Sequence, residues 1–333
     1  MLLGIDAGPQ QTLASLQLEK VAQIEAANSD SQHPEYWAQL ARDCEVDAVV
    51  LGTSRSERGS KAEQACLRAA CDMRLAVIVV EDMPGNYLPV RDLVPDLVVV
   101  ESAPVANYVR QRTDGPKPAA IISGASVRYD PLRLQAMQGE RIEIKNHSRH
   151  LVWLGQPETQ ANLFSLERLL PHVSSMGLEM LFKAHPRDDG YRKGLYQRLF
   201  ATYKRGFLDV SDCETKILIS YPPRLALTHF SSMAIELAFM GTPCCNVLFP
   251  ESGGRIYREM TGLHRPFLCE VGGSGTISGE VSIKRELERL LFDMVARKAQ
   301  MACFDEYFDI ANLQQPRVAS AIDSLVLSKQ KNR

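Results

Sequence analysis

The stretch that decides the fold is residues 228–243, Thr-His-Phe-Ser-Ser-Met-Ala-Ile-Glu-Leu-Ala-Phe-Met-Gly-Thr-Pro. Apolar runs flank it at 224–227 and 244–249, and both are short enough to be buried strands. Gly241 and Pro243 mark the end of an intervening helix, because glycine tolerates the left-handed C′ position and proline cannot continue a helix. The pattern predicts a strand, a helix and another strand, which is the repeating unit of a parallel α/β sheet.

The polar positions of this helix have the chemistry of a nucleotide site. Ser231 or Ser232 can cap the helix, whose start carries open N–H donors and partial positive charge that suit a phosphate. Ser232 and Glu236 share one helix face, and a carboxylate one turn from a phosphate can accept both hydroxyls of a ribose. In the alternative interpretation, Ser232 only caps the helix and Glu236 has a structural partner, which a carboxylate on so apolar a helix requires.

Length and charge limit the class of protein. The chain has 333 residues, enough for two domains. Its net charge is −2 with both signs mixed, which argues against a general nucleic-acid binder, since such a protein needs a basic face. Every apolar run is shorter than the ~18 residues that span a bilayer, and residues 1–6 are too short for a signal peptide.

The cysteines indicate the compartment. The eight cysteines are scattered and form no Cys-x-x-Cys pair. We expect reduced thiols in a cytoplasmic protein, with neither a disulfide framework nor a zinc site.

Residues 1–147 predict one doubly wound domain. Apolar runs without alternation are followed by helical patterns, which is typical of a parallel sheet covered on both faces. The predicted strands are 2–5, 47–52, 76–80, 96–100 and 119–123, with 13–27 as a helix or a further strand, and the predicted helices are 34–44, 61–73 and 103–111. The functional edge should be the carboxyl ends of the strands, which brings together Gly8, Ser54, Asp82 and Ser126.

Residues 148–333 predict a second domain of the same kind, after a polar linker at 133–150. Its predicted strands are 151–157, 179–187 and a weak one at 216–220, followed by the stretch at 228–243. Its predicted helices are 162–176, 191–203, a short one within 255–265, an amphipathic one at 283–299 and terminal helices over 304–327.

Three basic residues crowd one strand end of the second domain. Lys183 and His185 are alternate residues and can share a face, Pro186 fixes the backbone, and Arg187 adds a charge. Such a group suits a phosphate or diphosphate. Because Ser231 also follows a strand of the same sheet, we expect the two motifs to converge at one edge.

The sequence offers few candidates for a catalytic acid or base. Glu81 and Asp82 follow a strand of the first domain and are candidate bases, with Asp82 preferred, although Asp82 can equally cap the next turn. Asp188 and Asp189 beside Arg187 are typical of a solvated turn, and no His, Asp or Glu set has metal-ligand spacing. We therefore expect no metal.

These motifs resemble the GT-B class of sugar-nucleotide enzymes. Ser-Ser-x-x-x-Glu-Leu-x-x-x-Gly-x-Pro at 231–243 is similar to the donor-nucleotide helix of GT-B glycosyltransferases, including the one that makes lipid II. Lys-x-His-Pro at 183–186 together with Ser-Ser resembles bacterial sialyltransferases and CDP-glycerol glycerophosphotransferases, in which these motifs bind the nucleotide phosphates. Gly-x-x-x-Arg-Tyr-Asp at 124–130 resembles the interdomain segment of GT-B proteins and UDP-N-acetylglucosamine 2-epimerases, and 304–327 resembles their closing helices.

The sequence also departs from these families. The Gly-Thr-Arg-Pro-Glu loop of the epimerases is absent, and 6–10 reads Asp-Ala-Gly-Pro-Gln instead. The acidic motif of the sialyltransferases is approximated at best by 81–85, Glu-Asp-Met-Pro-Gly.

The resemblance implies two Rossmann-like domains facing across a cleft, and a metal-independent transfer of a sugar or related group from a nucleotide-activated donor to a hydroxyl acceptor such as a glycan. It implies no cofactor besides the donor. Asp82 and His185 would be catalytic, Gly8 and Ser126 would lie on the acceptor side, and the donor would be held by Gly155, Lys183, His185, Arg187, Thr228, Ser231, Ser232 and Glu236. The alternatives are a sugar-nucleotide epimerase or hydrolase, and a binding protein of the same fold without turnover.

Overall fold

A computed structural model describes residues 2–4, 21–23, 32–53, 57–81, 83–87, 90, 92–112, 115–141, 149–204 and 206–331. The chain forms two compact units, which we call unit 1 and unit 2. Unit 1 combines Met1–Pro131 with Asn312–Arg333, and unit 2 is Leu132–Ala311.

Unit 1 is a parallel sheet with helices. Its strands are β1 (Leu2–Gly4), β2 (Val21–Gln23), β3 (Ala48–Leu51), β4 (Ala76–Val80), β5 (Leu97–Val100) and β6 (Ala120–Ser123), in the order β2-β1-β3-β4-β5-β6. Its helices are α1 (Pro34–Asp43), α2 (Glu57–Asp72), α3 (Ala103–Gln111), a 3-10 turn (Ala125–Tyr129), α4 (Asp130–Met137), which crosses into unit 2, and the C-terminal helix, numbered α14 below (Gln315–Lys331). Strands β3 to β5 are buried throughout, as their Val- and Ile-rich runs predict.

The C-terminal helix belongs to unit 1, which corrects the predicted division into 1–147 and 148–333. Val318 and Ile322 of α14 are buried in one apolar cluster with Val50, Ile78 and Val99 of the unit 1 sheet. At the start of this helix, the carboxylate of Asp130 accepts hydrogen bonds from backbone N–H groups of residues 314 and 315. The last helix therefore completes the first core rather than the second.

Unit 2 has the strand order of a Rossmann domain. Its strands are β7 (His150–Leu154), β8 (Glu179–Lys183), β9 (Phe207–Asp209), β10 (Leu225–Thr228), β11 (Cys244–Val247) and β12 (Gly275–Ile277), and all pair in parallel in the order β12-β11-β10-β7-β8-β9. From β7 the chain builds outward through β8 and β9, then returns to the other side of β7 with β10. That reversal is the topological switch point at which doubly wound sheets bind ligands.

The helices of unit 2 are α5 (Thr159–Ser175), α6 (Asp189–Arg192), α7 (Gln197–Thr202), α8 (Thr215–Ser220), α9 (Ser232–Phe239), α10 (Gly253–Thr261), α11 (Phe267–Glu270), α12 (Glu280–Phe292) and α13 (Met294–Tyr307). The core contains Trp153, Phe182, Phe249 and the apolar faces of α5 and α12. Within the described residues, no helix is both long and apolar enough to cross a membrane.

Three predicted elements of unit 2 were wrong. The weak strand at 216–220 is the helix α8, and the strand at that point of the fold is β9. The helices predicted at 191–203 and 283–299 are each two helices. The second of these breaks at Asp293, whose carboxylate caps α13 by accepting from the N–H groups of Val295 and Ala296.

The predicted linker at 133–150 was also wrong over its first part, which is the end of α4. Arg133 is 0% exposed. Its guanidinium donates to the carbonyl of Phe308 at 2.9 Å and lies 5.5 Å from the centre of the Phe239 ring. A charge buried this fully is tolerated because it is hydrogen-bonded, and a polar sequence pattern does not reveal it.

Candidate functional site

A cavity of about 390 Å³ opens at the carboxyl ends of β7, β8 and β10 in unit 2. This is the switch point of the sheet, since β7 and β10 are paired neighbours. Its walls are formed by Leu154, Gly155, Lys183, Ala184, His185, Pro186, Tyr191, Arg192, Ser211, Asp212, Ser231 and Met233. The structure thus brings the His-Pro motif and Ser231 of the Ser-Ser motif to one cavity, as the sequence predicted. Thr228, Ser232 and Glu236 are not among its lining residues.

Gly155 lies where two strand ends approach closely. A Cβ atom at this position would be 3.3 Å from the backbone nitrogen of His185 and 3.3 Å from the carbonyl oxygen of Lys183. The Gly155 N–H donates to that same carbonyl at 2.9 Å. The glycine therefore allows the loop after β7 to contact the loop after β8, and it leaves the cavity floor open.

His185 lines the cavity, and its neutral form is favoured. Burial and, secondly, the charge of Arg187 lower the pKa of its imidazole below the ordinary value, and Glu158 and Asp188 oppose this. Its Nδ1 accepts from the N–H of Arg187 at 3.0 Å, so the proton of the neutral ring lies on Nε2. A neutral N–H donor can bind a phosphate oxygen without depending on protonation.

Lys183 was predicted to bind a phosphate, but in the structure it also holds a loop in place. Its ammonium lines the cavity but donates to the carbonyls of Ser211 and Cys213, at 3.2 and 2.6 Å. Ser211 is in turn held by Asp209, whose carboxylate accepts from its N–H and its hydroxyl. Two of the hydrogen bonds of Lys183 thus tie the loop after β9 to the end of β8.

The second cation of the cavity is Arg192 rather than Arg187. Arg187 is exposed and does not line the cavity, whereas Arg192 does. The Arg192 guanidinium donates to the Pro186 carbonyl and so lies close to the His-Pro segment. The sequence offered one signal for it, namely a basic residue that follows the tight turn at Gly190.

The Ser-Ser turn is built as predicted. Ser231 caps α9, accepting from the N–H of Met233 at 3.3 Å, while Ser232 is exposed at the first helical position. Thr228 is buried, and its hydroxyl donates to the Leu154 carbonyl and accepts from the Ser231 N–H. Thr228 therefore shapes the turn. It was predicted to contact the nucleotide donor, but it is buried and does not line the cavity. Glu236 is half-buried one turn further along α9.

Asp188 was predicted to lie in a solvated turn, which is wrong, because it is 1% exposed. Its carboxylate accepts from the N–H groups of Gly190 and Tyr191, from the Tyr196 hydroxyl at 2.6 Å, and from side chains of α5. This network fixes the loop that carries His185.

The structure gives less support to the site residues that were predicted in unit 1. Gly8, Ser54 and Asp82 lie outside the described residues. Ser126 is 2% exposed, so its hydroxyl does not lie at an accessible edge. Glu81 is buried and accepts from the Tyr87 N–H at 3.0 Å, which gives it a structural role. Unit 1 has a smaller cavity of about 100 Å³ beside Thr53, Asn86 and Tyr87.

The arrangement in unit 2 suits an anion. A neutral imidazole N–H, a guanidinium and the start of α9 surround one cavity of ligand size. No cluster of three His, Cys, Asp or Glu side chains with metal-site geometry occurs in the described part of the chain.

Comparison with known proteins shows the fold. The chain matches no family model and no curated protein. Among solved structures, MnaA of S. aureus with UDP aligns with a TM-score of 0.64 at 12% identity, over 96% of this chain and 95% of that one. UDP-GlcNAc 2-epimerase of Neisseria meningitidis bound to UDP-GlcNAc gives 0.61 at 11%, over 97% and 99%.

MurG of Acinetobacter baumannii is similar to the same degree, with a TM-score of 0.63 at 11% identity over 97% of this chain and 99% of that one. The chain therefore has two Rossmann-like α/β domains of the GT-B fold class. The similarity extends over nearly the full length of each of these proteins.

Proposed function

We propose that this protein is an enzyme that binds a nucleotide-activated sugar at the unit 2 cavity and transfers the sugar to a hydroxyl acceptor. The observation that carries the proposal is the convergence of His185 and the start of α9 on one cavity at the sheet switch point. The neighbours of known structure support the class of ligand, since two of them were solved with UDP or UDP-GlcNAc bound.

The chemistry follows from the donors present. Breaking a glycosidic phosphate ester puts negative charge on the leaving nucleoside diphosphate. The Nε2–H of His185, the guanidinium of Arg192 and the partial positive charge of the α9 start would stabilise that charge in place. Ser232 would bind a phosphate oxygen and Glu236 the ribose. Asp82 remains our proposed base, and Ser126 is no longer favoured as an acceptor contact because it is buried.

A sugar-nucleotide epimerase or hydrolase is the second candidate. It is favoured by one observation, namely that the similarity to the Neisseria epimerase is as extensive as the similarity to MurG. The donor-holding residues would be the same in both cases. The two candidates differ in whether an acceptor is needed.

The test begins with the nucleotide. A thermal-shift panel of UDP, CDP, CMP, GDP and dTDP should stabilise the protein with one preferred nucleotide, by roughly 2.7 kcal/mol at a hundredfold excess over the dissociation constant. His185→Ala should then weaken that nucleotide roughly 10- to 100-fold, the value of one hydrogen bond to a charged group. His264→Ala, an exposed histidine of the same unit, is the matched control and should bind normally.

The reaction is tested with the corresponding nucleotide sugar alone. A transferase leaves the donor intact until a hydroxyl acceptor is added, whereas an epimerase converts it and a hydrolase releases the nucleotide without one. Absence of any shift across the panel would contradict the proposal and favour a binding protein for another ligand. Binding that His185→Ala does not weaken would place the site elsewhere.

A further inference from the structure

We infer that a polar stripe on α5, formed by Thr159, Asn162 and Ser165, positions the two walls of the unit 2 cavity relative to each other. The inference rests on the proposed function for its role in binding, and on the hydrogen bonds below for its geometry. The first wall is residues 185–191, the His-Pro loop. The second wall is residues 229–233, the Ser-Ser turn.

The stripe is unusual for its helix. α5 otherwise buries Leu166, Leu169, Leu170 and Val173 in the core of unit 2. Asn162 and Ser165 are nevertheless each 0% exposed. Residues spaced three apart neighbour each other on a helix, so Thr159, Asn162 and Ser165 form one continuous line. Burying polar side chains is unfavourable unless they are hydrogen-bonded, and all three are.

Asn162 and Thr159 hold the first wall. The Asn162 amide donates to the Gln156 carbonyl at 2.7 Å and accepts from the Gln156 N–H at 3.1 Å, which fixes the loop directly after Gly155. It also donates to Asp188 at 3.2 Å, and the Thr159 hydroxyl donates to the same carboxylate.

The fit around Thr159 is close, because a Cβ on Gly190 would lie 2.0 Å from its methyl group. The His-Pro loop is therefore packed and hydrogen-bonded onto the first turns of α5.

Ser165 holds the second wall. Its hydroxyl is hydrogen-bonded to Nε2 of His229 at 2.9 Å and to the hydroxyl of Ser252 at 3.0 Å. His229 begins the turn between β10 and α9, and its carbonyl accepts from Asn246 at 2.6 Å. A Cβ on Gly253 would lie 2.5 Å from the His229 ring, so this contact is also close.

One rigid helix thus makes specific bonds to both walls. The two walls come from loops separated by about 40 residues of chain, so local structure alone does not fix their separation. Donors that bind one diphosphate must be correctly spaced, and an error of about 1 Å in such placement can lower activity up to about 100-fold. None of the three stripe residues lines the cavity, so each acts through another residue.

The test measures each wall separately. Ser165→Ala should speed backbone amide hydrogen exchange in peptides covering the Ser-Ser turn and leave the His-Pro loop unchanged. Asn162→Ala should show the reverse pattern. Ser175→Ala is the matched control on the same helix, because Ser175 is exposed and its hydroxyl bonds only within α5, to the His172 carbonyl.

Binding gives the second measurement. Each stripe variant should weaken UDP, or the nucleotide preferred in the panel, roughly 10-fold, and the double variant should combine both losses because the walls are separate. Uniform faster exchange across unit 2, or unchanged exchange in both walls, would overturn the inference whether or not a nucleotide binds. If the wild type binds and both variants bind as tightly, the positioning role is wrong while the proposed function stands.

Discussion

The two walls of the unit 2 cavity are held in place by different chemistry. The His-Pro loop is anchored by a buried carboxylate, Asp188, that accepts hydrogen bonds from backbone and side-chain donors. The Ser-Ser turn is anchored by neutral groups, namely the Thr228 hydroxyl, the Ser165 hydroxyl and the imidazole of His229. The comparison shows that charged residues of this site, such as Asp188 and Lys183, can hold loops in place rather than bind a ligand. It also predicts that the two walls respond differently to mutation and to pH.

The largest effect should come from removing the charged anchor. Asp188→Ala would remove this buried acceptor from the Tyr196 hydroxyl and the Tyr191 N–H. The Gly190 N–H and the Asn162 amide would each lose one of two acceptors. We expect unit 2 to lose about 3–5 kcal/mol of unfolding free energy, as when other buried charged networks are broken.

The measurement can isolate unit 2, because the chain has two tryptophans and one lies in each unit. Urea unfolding followed by Trp153 fluorescence, in a Trp37→Phe background, reports unit 2. Asp189→Ala is the control, since Asp189 is exposed and its ion pair with Arg192 is a surface one at 3.7 Å. A loss below about 1 kcal/mol for Asp188→Ala would contradict the anchoring role.

The buried imidazole of His229, which anchors the Ser-Ser turn, should make the stability of unit 2 depend on pH. Burial lowers the pKa of His229 from the ordinary 6.5 to about 3. The unfolded chain therefore binds a proton at pH values where the folded chain does not, so this contribution to stability is complete above the unfolded pKa and is lost as pH falls toward the folded one. Between pH 7 and 5 the loss should be about 2 kcal/mol.

His229→Gln removes this titration and keeps an amide for Ser165. The difference in stability between pH 7 and 5, measured by the same Trp153 unfolding curves, should shrink by about 2 kcal/mol in the variant. His185 contributes with the same sign, since its pKa is also lowered, but it is present in both proteins and cancels. Equal pH dependence in wild type and variant would show that His229 is not buried in its neutral form.

The comparison also explains what the sequence could predict. Most strands of the two sheets follow from continuous apolar runs such as 76–80, although β9 and β12 were not predicted. The Ser-Ser turn follows from a polar start with Gly241 and Pro243 as stop signals. These are local signals. The convergence of Lys183, His185 and Ser231 also followed, because the carboxyl ends of parallel strands meet at one edge.

The anchors could not be predicted, since their roles depend on partners distant in sequence. Lys183 was interpreted as a phosphate ligand, but its carbonyl acceptors lie in the loop after β9, a strand that the sequence pattern did not reveal. The C-terminal helix was assigned to the wrong unit because its apolar face fits either core by pattern alone. The α5 stripe did leave a signal, namely Asn162 and Ser165 at helical spacing within an apolar face.

The smallest expected effect on stability distinguishes the two serines of the Ser-Ser turn. Ser231 caps α9, so Ser231→Ala should cost about 1 kcal/mol of unit 2 stability through the lost bond to the Met233 N–H. Ser232 is exposed at the first helical position, and Ser232→Ala should change stability by less than about 0.5 kcal/mol. Under the proposed function, nucleotide affinity should show the opposite preference: the Ser231 hydroxyl lines the cavity but caps α9, whereas the exposed Ser232 hydroxyl is the proposed phosphate ligand. If Ser232→Ala binds the nucleotide as tightly as wild type, the Ser-Ser turn contributes backbone donors alone.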